Sequence, residues 1–285
     1  MKGDINTRFA KRAEAVSFPQ PEHAGMNAPH RILDSAKGDR VPPGFVALAV
    51  MTKAPQAGRV KTRLTPPLSP EEAASLNICF LRDTAAAISC TTELGVAIGV
   101  AVYTPHGSEA AYSGILPEEF ILVPQRGDAF GERLMAATDD LLQLGFDSVC
   151  LINSDSPTVP DTAFTEAVEF LSHPDDCVVL GPSDDGGYYL IGLKKNYHRL
   201  FQQIDWSTRR VLEQTIAAAR EINLPVHLLP IWFDVDDRVT LSRLCNELLG
   251  SNGSGANSSA APATRTFLFE LLQREGRDRI WPNES

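Results

Sequence analysis

The chain has 285 residues, of which 43% are hydrophobic and 22% are charged. These proportions are those of a globular protein of one or two domains, and they exclude a wholly disordered, fibrous or disulfide-stapled chain. The net charge of −10 opposes general nucleic-acid binding, although a local basic loop can still hold a small nucleotide. No apolar run reaches the roughly 18–20 residues of a membrane-spanning helix. We therefore expect no membrane partner. The five cysteines form no CxxC pair, and we expect them to be free thiols in a cytoplasmic protein.

Residues 1–43 mix charges and prolines without a sustained period, and we expect a mobile leader there. From residue 44 to residue 250, short apolar runs alternate with helical patterns. The apolar runs predict strands at residues 45–52, 96–103, 120–123, 148–153, 177–180, 188–193 and 225–233. Capping residues and apolar periodicity predict helices at residues 69–88, 131–144, 162–171, 207–221 and 237–249. In three of these helices the expected N-cap is Ser69, Ser207 or Asp237.

The C-terminal part has a different composition. Residues 251–264 are rich in Ser, Gly, Asn and Ala and predict a flexible linker. Residues 265–285 contain the spaced apolar side chains of a short amphipathic helix, followed by a tail. This helix could dock on the domain or on a second subunit, which would make the protein a homo-oligomer.

Alternation of strands and helices predicts an α/β fold for residues 44–250, with a mostly parallel, Rossmann-like sheet between two helical layers. In such folds, ligands bind outside the carboxyl ends of the strands. Each polar cluster of this sequence directly follows a predicted strand, so we expect the clusters to meet at one edge.

The first cluster, residues 53–64, is a basic loop with four cations. Gly58 allows a phosphate to approach the backbone, and Lys61 and Arg63 can neutralise phosphoryl oxygens. The loop lacks the GxxxxGK[ST] pattern of a P-loop. The alternative interpretation is a solvated basic loop without a ligand.

Two acidic clusters follow later strands and predict a metal site. Asp155 follows the strand at 148–153, and Mg²⁺ is usually held by one or two carboxylates together with substrate phosphates. Asp234 and Asp236 share a face of an extended backbone, and Asp236 could be the second ligand. The alternative is that these residues serve only turns and helix caps, as Asp237 is expected to do.

Two further clusters are candidates for ligand contacts. In residues 183–189, Asp185 could orient an acceptor hydroxyl or act as a base, although Asp-Gly-Gly is also a hairpin signal. Residues 125–133 lie between the strand expected at 120–123 and the following helix and include the start of that helix. A helix N-terminus favours anions, and Gln125, Gly127 and Asp128 are candidate nucleotide contacts. The alternative for this segment is a loop in which Arg133 pairs with a carboxylate.

Several motifs follow one another in a specific order. They are Lys-Ala-Pro-x-x-Gly-x-Val-Lys-Thr-Arg-Leu at 53–64, Asp-Ser-Pro at 155–157, Asp-Gly-Gly-Tyr-Tyr-Leu-Ile-Gly-Leu at 185–193, Trp-Ser-Thr at 206–208 and Asp-Val-Asp at 234–236. Through these motifs, residues 45–249 resemble the radical-SAM/selenodomain-associated glycosyltransferase family. Relatives of that family have the GT-A fold of nucleotide-diphospho-sugar transferases.

The resemblance implies a role for each matching residue. It places Lys53, Lys61 and Arg63 at the donor phosphates, Asp155 and Asp236 at the metal, and the segment Asp185, Gly186, Gly187 and Tyr188 near the acceptor. Two departures affect this transfer of roles. Asn153 stands where relatives usually have Gly, and Asp-Arg-Val-Thr-Leu at 237–241 replaces the usual Thr-Pro-Glu-Asp-Leu.

The basic loop also resembles that of 2-phospho-lactate guanylyltransferase and the molybdenum-cofactor nucleotidyltransferases. We therefore expect a transferase that depends on Mg²⁺ (or Mn²⁺) and moves a sugar from a nucleotide-diphospho-sugar to a small acceptor. The alternative is nucleotidyl transfer from a nucleoside triphosphate to a phosphorylated small molecule, with release of pyrophosphate. A further alternative is a non-catalytic nucleotide-binding module whose C-terminal helix recruits a partner.

Overall fold

The computed structural model describes residues 30–250 and 260–280, and an eight-stranded sheet lies at their centre. In chain order the strands are β1 Arg31–Ile32, β2 Val46–Lys53, β3 Ala97–Thr104, β4 Ile121–Pro124, β5 Ser148–Ile152, β6 Val178–Pro182, β7 Tyr188–Leu193 and β8 Val226–Leu228. Their spatial order is β1-β4-β3-β2-β5-β7-β6-β8. All neighbouring pairs are parallel except those that β7 forms with β5 and β6. The predicted mostly parallel sheet is confirmed.

Helices cover both faces of this sheet. They are α1 Pro70–Thr92, α2 Phe130–Gln143, α3 Asp161–Leu171, α4 Val211–Glu221, α5 Arg238–Leu249, α6 Pro262–Glu275 and α7 Arg277–Ile280. Helices α1 and α3 share one hydrophobic core with the sheet, and α2 and α4 share the core on the opposite face. None of the helices within the described ranges is long and apolar enough to cross a membrane. The five cysteines are free, as expected, and the cytoplasmic location stays a prediction.

A third hydrophobic core lies beside the sheet and includes the C-terminal helices. It joins Leu64 of the basic loop and Phe80 of α1 to Val235 between the two aspartates that follow β8. Leu268 and Leu271 of α6 are buried in the same core. The apolar face that suggested a contact with a second subunit is therefore packed against its own chain.

Two capping predictions are confirmed. Ser69 accepts a hydrogen bond from the backbone N–H of Glu72, whose side chain accepts one from Ser69 N–H in return. Pro70 occupies the first turn, where its missing N–H costs nothing. Asp237 accepts a hydrogen bond from the backbone N–H of Thr240 at the start of α5. Both caps are local patterns of three or four residues, which is why the sequence predicts them.

The expectation of a mobile leader at residues 1–43 is wrong for the last part of that segment. Residues Arg31–Ile32 pair with β4, and Leu33 and Val41 are buried in the core beneath α2. The short strand is exposed and mixed in composition, so apolar periodicity does not reveal it. The expected mobility of residues 1–29 lies outside the described residues.

Three other boundaries differ from the predictions. Ser207 has a φ of 62° and caps no helix, because α4 begins only at Val211. The strand expected at 225–233 pairs regularly with β6 only at Val226–Leu228, since Pro230 has no N–H to donate. The linker expected at 251–264 ends earlier, because α6 begins at Pro262, while residues 251–259 lie outside the described residues.

Candidate functional site

Four polar segments meet at the carboxyl edge of the sheet. The basic loop follows β2, residues 153–155 follow β5, residues 183–187 connect β6 to β7, and residues 234–236 come after β8. The strand order reverses at β2, which has β3 on one side and β5 on the other, so a crevice opens there. The crevice contains two adjoining cavities of about 390 Å³ and about 490 Å³. Both are lined by Arg63, Asp155 and Asp236, which therefore lie at the junction.

The first cavity, of about 390 Å³, is lined by cationic side chains. These are Lys53, Arg59, Lys61, Arg63 and Arg133. Within residues 30–250 and 260–280, no salt bridge is formed by any of them except Lys61. The Arg133 Nε is buried without a hydrogen-bond partner in this part of the chain. Four cations without a salt bridge among the described residues line this one cavity, and such a lining favours a polyanion such as a di- or triphosphate.

Lys61 has a different environment from the other four cations. Its side chain is 5% exposed, and its Nζ lies 2.7 Å from Asp155 Oδ1, 3.3 Å from Asp236 Oδ1 and 2.7 Å from the Val235 carbonyl oxygen. Its ammonium also lies 5.2 Å from the ring centroid of Phe80. The backbone of Lys61 is left-handed, with φ of 49°, a conformation that a non-glycine residue adopts at some energetic cost. Such strain is common where a side chain is held for function.

Asp155 and Asp236, the two predicted metal ligands, are brought together by this contact. Partial burial and the charge of Asp155 raise the pKa of Asp236, while Lys61 and Arg63 act in the opposite direction. A cation between the two carboxylates relieves their repulsion. No group of three or more His, Cys, Asp or Glu side chains suited to a metal exists among the described residues. Two carboxylates beside a cavity lined by cations nevertheless fit Mg²⁺ or Mn²⁺, which commonly complete their coordination with substrate oxygens and water.

Asp234 is a site residue that the sequence interpretation considered only as a neighbour of Asp236. Its Oδ1 accepts hydrogen bonds from Asn153 Nδ2 at 2.8 Å, from Ser183 Oγ at 3.0 Å and from Ser156 Oγ. Burial raises the pKa of Asp234 to about 6, while the hydrogen bonds from Ser156 and Asn153 oppose that rise. The carboxylate faces the second cavity with its orientation fixed. The alternating Asp-Val-Asp pattern at 234–236 is the sequence feature that could have identified Asp234 as a site residue.

Asn153 now has a structural explanation. Asn153 stands at the position where the resemblance led us to expect Gly. Its side-chain Nδ2 donates a hydrogen bond to Asp234 from the end of β5, and its Oδ1 accepts one from the Asp155 N–H at 3.3 Å. One side chain thus links the segments that carry the predicted metal ligands.

The second cavity, of about 490 Å³, combines acidic and aromatic side chains. Asp185, Gly187 and Tyr188 line it, and Asp185 Oδ1 also accepts the Gly187 N–H at 2.8 Å. Their role in binding the acceptor stays a prediction. Trp206 forms an edge-to-face pair with Phe130, with ring centroids 5.2 Å apart. Trp206 belongs to a motif that the sequence analysis matched without assigning it a contact.

Gly186 supports this cavity without lining it. It has a φ of +92°, and a Cβ there would come within 2.2 Å of the Arg209 carbonyl oxygen. The Gly186 carbonyl accepts the Leu212 N–H at 2.9 Å. The glycine therefore lets the segment before α4 pack against the hairpin, and this contact replaces the helix start that we expected at Ser207.

Some predicted nucleotide contacts are not brought to either cavity. Lys53, Lys61, Arg63 and Gln125 line the first cavity, whereas Gly58, Gly127 and Asp128 line neither. The N–H groups of Asp128 and Ala129 already donate to Glu132 Oε2, at 3.2 Å and 3.1 Å. These two donors are therefore satisfied within the protein, and nucleotide contacts at Gly58, Gly127 and Asp128 stay predictions.

Comparisons with known proteins agree with this fold. A family model described as an uncharacterized protein conserved in bacteria (DUF2064) matches residues 87–208. The chain is 28% identical to a crystal structure from Desulfovibrio desulfuricans G20, provisionally described as a nucleotide-diphospho-sugar transferase. That match has a TM-score of 0.68 and covers 81% of this chain and 97% of the other. No curated protein matches the sequence significantly.

A more distant match is CMP:2-keto-3-deoxy-manno-octonic acid synthetase in complex with CTP. It shares 10% identity with a TM-score of 0.46, and the match covers 70% of this chain and 96% of that one. The Desulfovibrio structure confirms the predicted GT-A-like α/β fold. The radical-SAM/selenodomain association stays a prediction.

Proposed function

We propose that the protein is a transferase that uses a nucleotide-activated donor, and that the group transferred is a sugar from a nucleotide-diphospho-sugar. The observation that carries this proposal is the pair of adjoining cavities, one cationic and one acidic and aromatic, with Asp155 and Asp236 at their junction. A donor and an acceptor need such neighbouring sites, because the reacting atoms must meet while both molecules are bound. The likeness to the Desulfovibrio protein supports the same donor class.

In this proposal the first cavity binds the donor diphosphate. Lys53, Arg59 and Arg133 have no carboxylate partner among the described residues and are available to phosphoryl oxygens. Arg63 lines both cavities, which supports a role in stabilising the negative charge that develops on the leaving diphosphate. Stabilising that charge by fixed cations lowers the barrier to transfer.

The second cavity would hold the acceptor. Asp234 and Asp185 are its hydrogen-bond acceptors, and the Phe130–Trp206 pair gives it an apolar wall. The acceptor oxygen forms a bond to the anomeric carbon, the bond from that carbon to the diphosphate breaks, and the hydroxyl proton passes to a carboxylate. We assign the proton to Asp185 and the orientation of the acceptor to Asp234, whose Oδ1 is fixed by three donors.

Asp155 and Asp236 would hold Mg²⁺ or Mn²⁺ with the help of donor oxygens. A bound divalent ion supplies electrostatic stabilisation of the leaving diphosphate. The carboxylates fit this role because they converge on one point and because the neighbouring cations leave space for phosphates on one side.

Nucleotidyl transfer is the second candidate, and the number of cations favours it. A triphosphate carries more negative charge than a nucleotide-diphospho-sugar, and five cationic side chains line the first cavity. In that reaction the acceptor phosphate attacks the α-phosphorus and pyrophosphate leaves. In the second cavity, Asp185 and Asp234 oppose a phosphorylated acceptor, whereas Arg63 and Arg209 of the same lining favour one.

Thermal unfolding of the full chain with a panel of nucleotide sugars and nucleoside triphosphates tests the proposal. Each ligand is used with and without Mg²⁺, on the wild type and on Asp155→Ala. A ligand at 100 times its Kd stabilises the folded state by about 2.7 kcal/mol. We expect a Mg²⁺-dependent shift from one nucleotide sugar that Asp155→Ala abolishes, and release of a nucleoside diphosphate on turnover.

The other outcomes separate the alternatives. A shift from triphosphates alone, with pyrophosphate release, would replace glycosyl by nucleotidyl transfer. Binding without turnover of any acceptor would favour the non-catalytic module. If no nucleotide shifts the transition, the assignment of the first cavity is wrong.

A further inference from the structure

Lys61 is the most closely held cation at the candidate site. Its Nζ contacts three oxygens, from Asp155, Asp236 and Val235, at 2.7, 3.3 and 2.7 Å. An ammonium group has three N–H donors and no acceptor, so these oxygens match its full capacity. Two carboxylate oxygens and one carbonyl oxygen are also the ligand types that Mg²⁺ and Mn²⁺ prefer.

We propose that Lys61 holds the place of a divalent cation in the nucleotide-free protein and moves to the donor phosphates when they bind. The inference rests on the proposed function, because it takes the first cavity as the phosphate site. It adds a regulation to that site: without a nucleotide, the protein's own ammonium competes with the metal.

Charge explains the competition. Asp155 and Asp236 together carry two negative charges, and Lys61 already balances one of them at contact distance. A divalent ion on the same oxygens would meet the ammonium, and like charges at such a separation repel strongly in a partly buried site. Metal binding therefore requires that Lys61 leave.

The surroundings of Lys61 provide a destination. Lys61 lines the first cavity together with Lys53, Arg59, Arg63 and Arg133, so a phosphate bound there lies within the space that its side chain borders. The Lys61 ammonium lies 5.2 Å from the centroid of the Phe80 ring, and the Lys61 backbone is in the left-handed conformation. Only the end of the side chain needs to change position.

The consequence is a positive coupling between nucleotide and metal. Phosphates remove the competing ammonium, so each ligand binds more tightly when the other is present, and by thermodynamic linkage the two factors are equal. A protein with this arrangement binds little free metal and becomes loaded only together with its donor.

Titration of the full chain with Mn²⁺, followed by electron paramagnetic resonance of the free ion, tests the inference. Without nucleotide, we expect Lys61→Met to bind Mn²⁺ at least about tenfold more tightly than the wild type, because the variant lacks the competing charge. Methionine keeps an unbranched side chain and removes the charge. Lys53→Met is the matched control, since Lys53 lines the same cavity but forms no salt bridge with a described carboxylate, and its nucleotide-free Mn²⁺ affinity should stay within about twofold of the wild type.

A second measurement uses the unaltered protein. Acetic anhydride at low dose, with detection by mass spectrometry, should modify Lys61 slowly in the free protein because its side chain is 5% exposed and bound by two carboxylates. Saturating Mn²⁺ should increase the modification of Lys61 several-fold relative to that of Lys53. This arm remains informative if Lys61→Met does not fold.

Equal Mn²⁺ affinities of the wild type and Lys61→Met without nucleotide, or a Lys61 modification rate that Mn²⁺ leaves unchanged, would overturn the inference. If Lys61→Met gains Mn²⁺ affinity while no nucleoside diphosphate or triphosphate binds any form, the metal competition stands and the proposed donor site fails. If nucleotides bind and Mn²⁺ binds no form, the competition is wrong and the phosphate site stands.

Discussion

Replacing Asp234 with asparagine tests what the buried carboxylate costs the folded protein. Burial raises its pKa from 3.8 to about 6, so the folded state prefers the neutral form. Since one pKa unit corresponds to about 1.4 kcal/mol, ionisation of Asp234 destabilises the fold by about 1 to 3 kcal/mol at neutral pH. Asparagine stays neutral, and its Oδ1 can still accept the hydrogen bonds of Asn153, Ser156 and Ser183. We therefore expect Asp234→Asn to be more stable than the wild type at neutral pH.

The sign of the pH dependence follows from the raised pKa. Below about pH 4, Asp234 is protonated in both the folded and unfolded states, and the variant has no advantage. As the pH rises from about 4 to about 6, the unfolded state loses its proton first, and the wild type loses stability relative to the variant. Above about pH 6 the difference is constant.

Urea unfolding from about pH 4 to pH 8, in a chelator and without nucleotide, measures this difference. Asp185→Asn is the matched control, because Asp185 lines the same cavity but is exposed, and we expect its stability to change by less than about 0.5 kcal/mol. Turnover should fall sharply in Asp234→Asn if it orients the acceptor. A variant that is less stable at neutral pH, or a difference that does not vary with pH, would refute the reasoning.

Three further predictions concern other parts of the molecule. Asp83→Ala should lower the free energy of unfolding by about 1–2 kcal/mol, because the Asp83 side chain accepts hydrogen bonds from the N–H groups of Ala263 and Thr264 at the start of α6. Hydrogen exchange should show that α6 opens more readily in this variant. The control variant Glu270→Ala should show neither change. Gly186→Ala should cost about 1–3 kcal/mol by urea unfolding, because its φ is +92° and the Cβ would meet Arg209 backbone atoms. Gly58→Ala, which meets no atom within 4 Å, should cost less. Arg63→Met should weaken calorimetrically measured nucleotide binding about tenfold, most strongly at low salt, whereas Arg220→Met, at an exposed position of α4, should leave it unchanged.

The sequence predicts the main chemistry of the site because the fold concentrates it at one edge. Lys61, Asp155 and Asp236 are far apart in the chain, yet each follows a strand that ends at the same side of the sheet. Alternation of strands and helices is enough to infer this meeting. The ammonium between the carboxylates is not predictable, because it depends on side-chain positions at contact distance.

Other features depend on contacts that no local pattern records. The Asp234 carboxylate is held by Ser156 and Ser183, which are 78 and 51 residues away in the chain. The start of α6 is capped by Asp83, 180 residues before Ala263, so the linker was predicted to extend too far. Ser69 and Asp237 cap their own helices over a few residues, and these caps were predicted correctly.

The third core connects the C-terminal helices to the basic loop, which lies about two hundred residues earlier in the chain. Leu268 and Leu271 of α6 pack into the core that contains Leu64 of the basic loop and Val235 beside Asp236. Because well-packed cores transmit small displacements, a change of side-chain volume in α6 will shift the geometry of that loop. A genetic selection for second-site suppressors of a weakened basic loop should therefore return substitutions in residues 262–280. Directed evolution of this protein for another donor should include these helices in its libraries, although none of their side chains lines either cavity.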